Sequence, residues 1–302
     1  MSLHPSPRGS ALILSLWALL LLSAAVFAWV KFIDADLASA GEANAGLEAR
    51  AFAHSGVQVA LTPGVTPQTP LLAKQFETNR GYKVRMTGEE GKLNINTILR
   101  NGDTSEWKTI FMRYLERRGL SFQERQTFWD CLLDWIDPDN IRHLNGLEDG
   151  PDYHAPNRGR LFSVDEIAEV AGSKPLTSQA GWREDFTTYP EGGRIDLKYA
   201  PLEILRLLPN VSEPLAQRFI QIRQGPDKLD GTKDDPVLKP DMVLSYLGVA
   251  GNLQEALKPY VTYDEKVMRI ESEGQSGKVF RQVEVVANKP DGGQPQILWW
   301  KE

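Results

Sequence analysis

Residues 11–30 form an unbroken run of twenty uncharged and mostly apolar positions. At about 1.5 Å per helical residue they span roughly 30 Å, the thickness of a bilayer's hydrocarbon core. Past Lys31 the pattern changes without breaking. Ile33, Leu37, Ala40, Leu47 and Ala51 follow at intervals of three, four or seven, which draws one apolar stripe along an otherwise polar helix. After Pro7 the next proline is Pro63, so the pattern predicts one helix of about fifty residues, roughly 75 Å long.

Residues 62–70 read as a Pro/Thr-rich connector. Tyr82, Val84 and Met86 alternate through a strand at 81–87, and Gly88-Glu-Glu-Gly91 turns the chain into a second strand at 92–97, a hairpin beside the long helix. From residue 103 to 259 the signals are helical: 105–118, 122–136, 164–171, 201–208, 213–223, 241–247 and 253–257, with Ser121, Ser163 and Ser212 as N-caps. Alternation returns at 261–272, 278–287 and 296–300, joined by turns at 274–277 and 290–293. The expected fold is α+β: a long N-terminal helix (10–56) packed on a small antiparallel sheet (57–97 and 261–302), with a large α-helical domain (98–260) inserted into the sheet.

All 40 acids and every basic residue except Arg8 lie in residues 31–302. Arg8 and the free amine keep the N-terminus cytoplasmic, so the body is exported. Two other readings of the apolar run stay open: a cleaved secretory signal with Val26 and Ala28 before the cut, and an uncleaved signal anchor. An acidic body argues against nucleic acid as a partner. Cys131, the only cysteine, recurs with the apolar face of its helix and reads as a buried structural thiol. No nucleotide-cradling glycine loop and no Gly-x-Ser-x-Gly elbow is present, and only His54, His143 and His154 lie in the exported part, so no enzymatic activity is expected. A metal-dependent hydrolase built on Asp137, Asp139, His143 and His154 is disfavoured because the acid-rich surroundings suit calcium better than zinc.

Asp134, Asp137, Asp139, Glu148, Asp149 and Asp152 place hard oxygen donors around a helix end and the loop after it. Calcium takes six to eight such ligands. The competing reading is a plain turn at Asp137-Pro-Asp-Asn140 with solvated acids. A second loop gathers Asp227, Asp230, Asp234 and Asp235 around Gly231; it resembles calcium-loop repeats but misses the EF-hand spacing. The stretches 163–172 and 201–220 look like degenerate helix-hairpin-helix units. Pro209-Asn210 at the second turn and the acidic body favour packing or protein contact over phosphate binding.

The polar leader ending at Gly9, the apolar helix that starts at once and its amphipathic extension resemble the N-terminus of type IV pilins and type II secretion pseudopilins. The resemblance implies cleavage by a prepilin peptidase between Gly9 and Ser10. At the fifth mature position most members carry glutamate, and this chain has Leu14, a mark of the family's large minor K subunit. Glu89-Glu-Gly-Lys-Leu-Asn-Ile-Asn96, the Asp134-Trp-Ile-Asp-Pro-Asp139 run with Gly146-Leu-Glu-Asp149, and Ile195-Asp-Leu-Lys-Tyr-Ala-Pro201 with both helical units are similar to segments of that K subunit, in the same order. Leu147 stands where the family has alanine, and Gly150-Pro151 intervene before Asp152.

What the resemblance implies is a non-enzymatic minor pseudopilin of a type II secretion system at the pseudopilus tip. It would be single-pass in the bacterial inner membrane with a periplasmic body. Its partners would be other minor pseudopilins in a tip complex, the prepilin peptidase, and secreted cargo or the outer-membrane secretin. The alternative is a membrane-anchored helix-hairpin-helix DNA-binding or competence protein.

Overall fold

The computed structural model describes residues 8–102, 105–190, 193–228, 230, 235–236, 238–264, 266–290 and 293–302. One helix, α1, runs from Arg8 to Leu61, about 80 Å at helical rise. Residues 12–44 of it are exposed. Its last turns lie against a five-stranded antiparallel sheet of β1 (Ala73–Glu77), β2 (Arg80–Gly88), β3 (Val267–Ser276), β4 (Val279–Asn288) and β5 (Gln296–Lys301), in the order β1-β2-β3-β4-β5.

The face of α1 that the sheet buries is made of small residues. Gly46, Ala49, Ala53, Gly56, Val57 and Ala60 are buried, whereas Leu37 and Leu47 of the expected apolar stripe are 67% and 68% exposed. Close approach explains the choice. The Ser272 hydroxyl donates to the Ala53 carbonyl at 2.7 Å, and a β-carbon at Gly56 would sit 2.3 Å from Ser272 Oγ. Larger side chains at Ala49, Ala53 or Gly56 would hold helix and sheet apart. The core between them is Ala53, Val57, Ala60, Tyr82, Val84, Met86, Ile270, Val283 and Val285. Lys289 closes the upper end of α1, its Nζ donating to the Ala60 carbonyl and, at 2.9 Å, to that of Val65, which satisfies a helix-terminal carbonyl with a cation.

The strand expected at 92–97 is absent, and the hairpin lies one strand earlier, as β1 and β2. Leu93–Asn94 pairs instead in parallel with Phe186–Thr187. The Asn94 side chain then accepts from Thr97 N at 3.0 Å and caps a short helix, α2 (Ile95–Arg100). Asparagine is a poor strand residue and a strong N-cap. The long strand expected at 261–272 is likewise divided: Val261–Thr262 pairs in parallel with Ile195–Asp196, and β3 begins only at Val267. The turn expected at 274–277 narrows to Gly277-Lys278, with Gly277 at φ +60 and Ser276 opposite Val279.

The helical body therefore extends from Glu89 to Lys266, beyond the 98–260 expected from the sequence. Leu93, Ile95 and Val261 belong to its core, with Ile110, Phe111, Phe128, Trp129, Leu132, Trp182, Phe186, Leu205 and Phe219. Its main helices are α3 (Glu106–Arg117), α4 (Phe122–Ile136) and α5 (Glu213–Arg223). Ser121 and Glu124 form a capping box at the start of α4, worth about 1 kcal/mol. The body leaves and rejoins the sheet at one place. Glu89 N donates to Val267 O at 2.8 Å, and the Glu90 carboxylate accepts from Lys266 N and Val267 N at 3.0 and 3.1 Å. The buried Glu89 carboxylate accepts from Arg269 Nε and Nη2 at 2.6 and 2.7 Å and from Lys92 at 3.0 Å, and the third nitrogen of Arg269 meets Glu284. Arg80 pairs with Glu48 on α1 and Gly88 lies opposite Met268, so this junction is at the end of the sheet remote from the N-terminal half of α1.

Candidate functional site

The acidic motif sits where α4 ends. Asp130 and Asp134, four residues apart, share one helix face and reach across to the following loop. Asp130 Oδ2 accepts from Asn145 N at 3.0 Å and Asn145 Nδ2 at 2.8 Å. Asp134, fully buried, accepts through Oδ1 from His143 N at 2.9 Å and meets His143 Nδ1 at 2.5 Å. Asp139 Oδ1 accepts from Ile141 N at 2.7 Å. Gly146 packs directly on Asp134, for a β-carbon there would lie 1.9 Å from Oδ2.

Asp137, Asp139 and Glu148 bring one oxygen each within 4.8 Å of one another, and Asp134, Asp137 and His143 do the same with their ligand atoms. Buried oxygens of this group lack a hydrogen-bond partner: Asp134 Oδ2, Asp137 Oδ1, Glu148 Oε1 and Asn157 Oδ1. Orphaned buried carboxylate oxygens are costly unless a cation meets them. Burial, then the negative charge of Asp139, raises the Asp137 carboxyl above its ordinary value; burial, then Asp137, does the same to Glu148. Burial opposes protonation of His143, but the hydrogen bond with Asp134 and the charges of Asp134 and Asp137 outweigh it and raise its pKa. All-oxygen donors around a convergent negative charge fit a hard divalent cation such as calcium.

Asp149 and Asp152, grouped with these acids in the sequence, do not join them. Glu148 O accepts from Ala155 N at 2.9 Å and Asp149–Gly150 pairs with Tyr153–His154, a ribbon in which side chains alternate direction. Glu148 therefore turns inward while Asp149 faces solvent, 3.4 Å from His154 Nδ1, and Asp152 is exposed at the ribbon's turn. Asn157 joins the group unforeseen. It holds φ +50 and donates through Nδ2 to Asp139 O at 2.9 Å, and the Asn157-Arg-Gly159 turn composition was its only sequence signal.

In the second acidic loop Asp230 is taken up by Arg223, whose Nε and Nη2 approach its two oxygens at 2.8 and 3.0 Å. The same arginine donates through Nη1 to Leu197 O and Ala200 O at 2.9 and 2.8 Å. Asp227 and Asp235 lie beside this fork in the chain; Asp234 and Gly231 lie outside the described residues. Among the described residues no three acids of this loop converge.

The two helix-hairpin-helix-like stretches direct their apolar residues into the core: Ile167, Val170, Ile204, Leu205, Leu208, Ala216 and Phe219 are buried. Cys131 is buried too, which pushes its thiol up to about 11. At the other extreme of the chain, Gly9 and Ser10 stand in the first turns of α1, and Leu14 is exposed. Residues 1–7 of the leader lie outside the described residues. α1 is long and apolar enough to cross a membrane.

Residues 91–180, which hold the whole acidic cluster, match the family model described as type II secretion system protein K. The chain is similar in structure to one from the crystal structure of the GspK–GspI–GspJ complex of the enterotoxigenic Escherichia coli type II secretion system. The TM-score is 0.60 at 15% identity, over 88% of this chain and 98% of that one. An identity that low concerns the fold. No curated protein sequence matches the chain. The protein K match thus covers residues 91–180, a segment set in a chain whose long apolar helix and antiparallel sheet share the fold of that solved structure.

Proposed function

We propose that the protein stands at the tip of a pseudopilus and nucleates or caps the fibre through contacts with other minor pseudopilins. The observation that carries this reading is where the helical body sits. The chain leaves the sheet at Gly88 and returns at Val267, the end remote from the apolar span, so the body overhangs that end and obstructs a further subunit above it. The span anchors the protein in the inner membrane with its body in the periplasm, and the overhanging body is the part placed to meet cargo or the outer-membrane secretin. Nothing in this role needs a catalytic group.

Processing belongs to the same reading: the prepilin peptidase cuts between Gly9 and Ser10. Leu14 spares the span a carboxylate, which is costly in lipid. N-terminal sequencing of protein recovered from membranes that contain the peptidase tests it. A chain beginning at Ser10 is expected; one beginning at Trp29 would mark an ordinary secreted protein and overturn the reading.

Calcium has a structural place in this scheme. Asp134, Asp137, Asp139 and Glu148 would hold it, with the Asn157 carbonyl oxygen as a neutral donor. Bound there, the cation would neutralise the convergent carboxylates and brace the 139–148 segment against α4.

A further inference from the structure

We infer that the cleft between the sheet and the helical body binds an extended segment of another polypeptide, one that brings an acid to the sheet side, a basic residue to the body side and an apolar side chain between them. The inference goes beyond the fibre-tip reading and does not depend on it. The cleft holds about 350 Å³. Val283 and Val285 of β4 pack toward α1, so Val286, which alternates with them, lies on the other face of the sheet. There it forms one wall with Trp299 and Lys301 of β5, and Phe162, Glu184 and Thr188 of the body form the other.

Most charges along the cleft are already matched. Glu89 holds Lys92 and Arg269, Glu284 meets Arg269, Asp165 meets Arg183, and Glu271 meets Arg85. Lys301 and Glu184 are left over: neither makes an ion pair among the described residues, and they do not pair with each other. One stands on the sheet and the other on the body, so the lining presents opposite charges on opposing walls. An occupant complementary to it carries the reverse polarity.

Two further observations identify the occupant as a polypeptide. Thr188 lines the cleft and is 5% exposed, yet its hydroxyl takes part in no hydrogen bond among the described residues. A nearly buried hydroxyl without a partner is one that a ligand can complete. β5 is the edge of the sheet, paired with β4 alone. The Tyr189 hydroxyl donates to Leu298 O at 3.3 Å, and past that point the outer backbone groups of residues 299–301 meet no other strand. An added strand satisfies such groups and sends alternate side chains into the neighbouring pocket; an ion or a glycan does not. Trp299, Val286 and Phe162 supply the apolar walls for the central side chain.

The test is binding of dye-labelled, capped heptapeptides of threonine and valine to the full-length chain in mild detergent, read by fluorescence anisotropy. Some carry a lysine and a glutamate at opposite ends, in either order; others carry two lysines or two glutamates. A mixed-charge peptide should bind about tenfold tighter than either like-charged one. Lys301→Glu should transfer the preference to the two-lysine peptide, and Glu184→Lys to the two-glutamate peptide; both side chains are exposed, so folding survives the changes. Thr188→Val keeps the shape and should weaken binding about threefold or more, and N-methylation of alternate peptide nitrogens should abolish it. No binding by any of these peptides, or affinities indifferent to both charge reversals, would overturn the inference. So would tight binding that survives N-methylation, because the edge of β5 would then play no part. No other pseudopilin enters the assay, so its failure leaves the fibre-tip reading standing.

Discussion

Gly274 and Ala49 meet backbone to backbone: a β-carbon at 274 would lie 2.0 Å from the Ala49 carbonyl oxygen and 2.4 Å from Ala53 N. Neither partner can recede, because Ala49 and Ala53 are inside α1 and Gly274 is in a strand paired on both sides. Gly274→Val should therefore destabilise the sheet against the helix by about 3 kcal/mol or more, read as a fall in the thermal midpoint of the detergent-solubilised protein. Unchanged stability would mean that helix and sheet are farther apart than described.

Calcium should stabilise the protein through the cluster at the end of α4. At a free concentration about a hundred times Kd the gain is about 2.7 kcal/mol. Glu148→Gln should weaken binding by removing a charge, and Gly146→Ala should abolish it, since the added methyl takes the place beside Asp134 Oδ2. Titration calorimetry of the wild type with calcium, showing no heat and no thermal shift, would remove the site.

Glu89 links the two bodies and sets an acid-sensitive joint. Burial alone would raise its pKa, but the paired hydrogen bonds from Arg269 and the charge of Lys92 outweigh it, and the carboxyl is held below its usual range. A depressed carboxyl contributes stability above its unfolded value, about 4.5, and loses it as pH falls through the folded value. Glu89→Gln should cost about 3 kcal/mol at neutral pH, because it leaves Arg269 with Glu284 alone and takes the carboxylate from the buried Lys92, and should flatten the acid limb of the stability curve. Acid unfolding that is as steep in the variant as in the wild type would place the sensitivity elsewhere.

Arg223 is a fastener for the second acidic loop. Arg223→Met takes the arginine's bonds from Leu197 O and Ala200 O and leaves Asp230 with Gln224 Nε2, and should lower stability by about 3 kcal/mol. Asp230→Asn keeps the two carbonyl contacts and should cost less. Thermal unfolding of both ranks them, and the opposite order would show that the ion pair outweighs the carbonyl contacts.

Where a local signal and a tertiary demand agree, the sequence could be read closely. The helix expected at 122–136 is α4 to the residue, because Ser121 caps it and its apolar positions recur on one face. Where the demand is tertiary, reading fails in a consistent direction. Amphipathicity picked out Leu37 and Leu47, yet the sheet wanted the small face of α1. Alternation made a strand of 92–97, yet Asn94 was a cap. In the acidic motif the residue types pointed to calcium, but only the ribbon at 149–154 separates Glu148, which turns in, from Asp149, which turns out. His143 was grouped in the sequence with Asp137 and Asp139 only under the disfavoured hydrolase reading, and Asn157 carried only a turn signal; they join the acids because the loop folds back over α4.

β2 and β3 are neighbours in the sheet, with Gly88 opposite Met268, and the whole helical body is in effect the loop of that hairpin. Closing so long a loop from an unfolded chain carries an entropic penalty, and it is relieved when the loop has already folded and holds its own ends together. Glu89 and Glu90 are the clasp that does so. The topology leads us to expect that the helical body forms first, that its closed ends then bring β2 beside β3, and that the sheet gripping α1 is completed last.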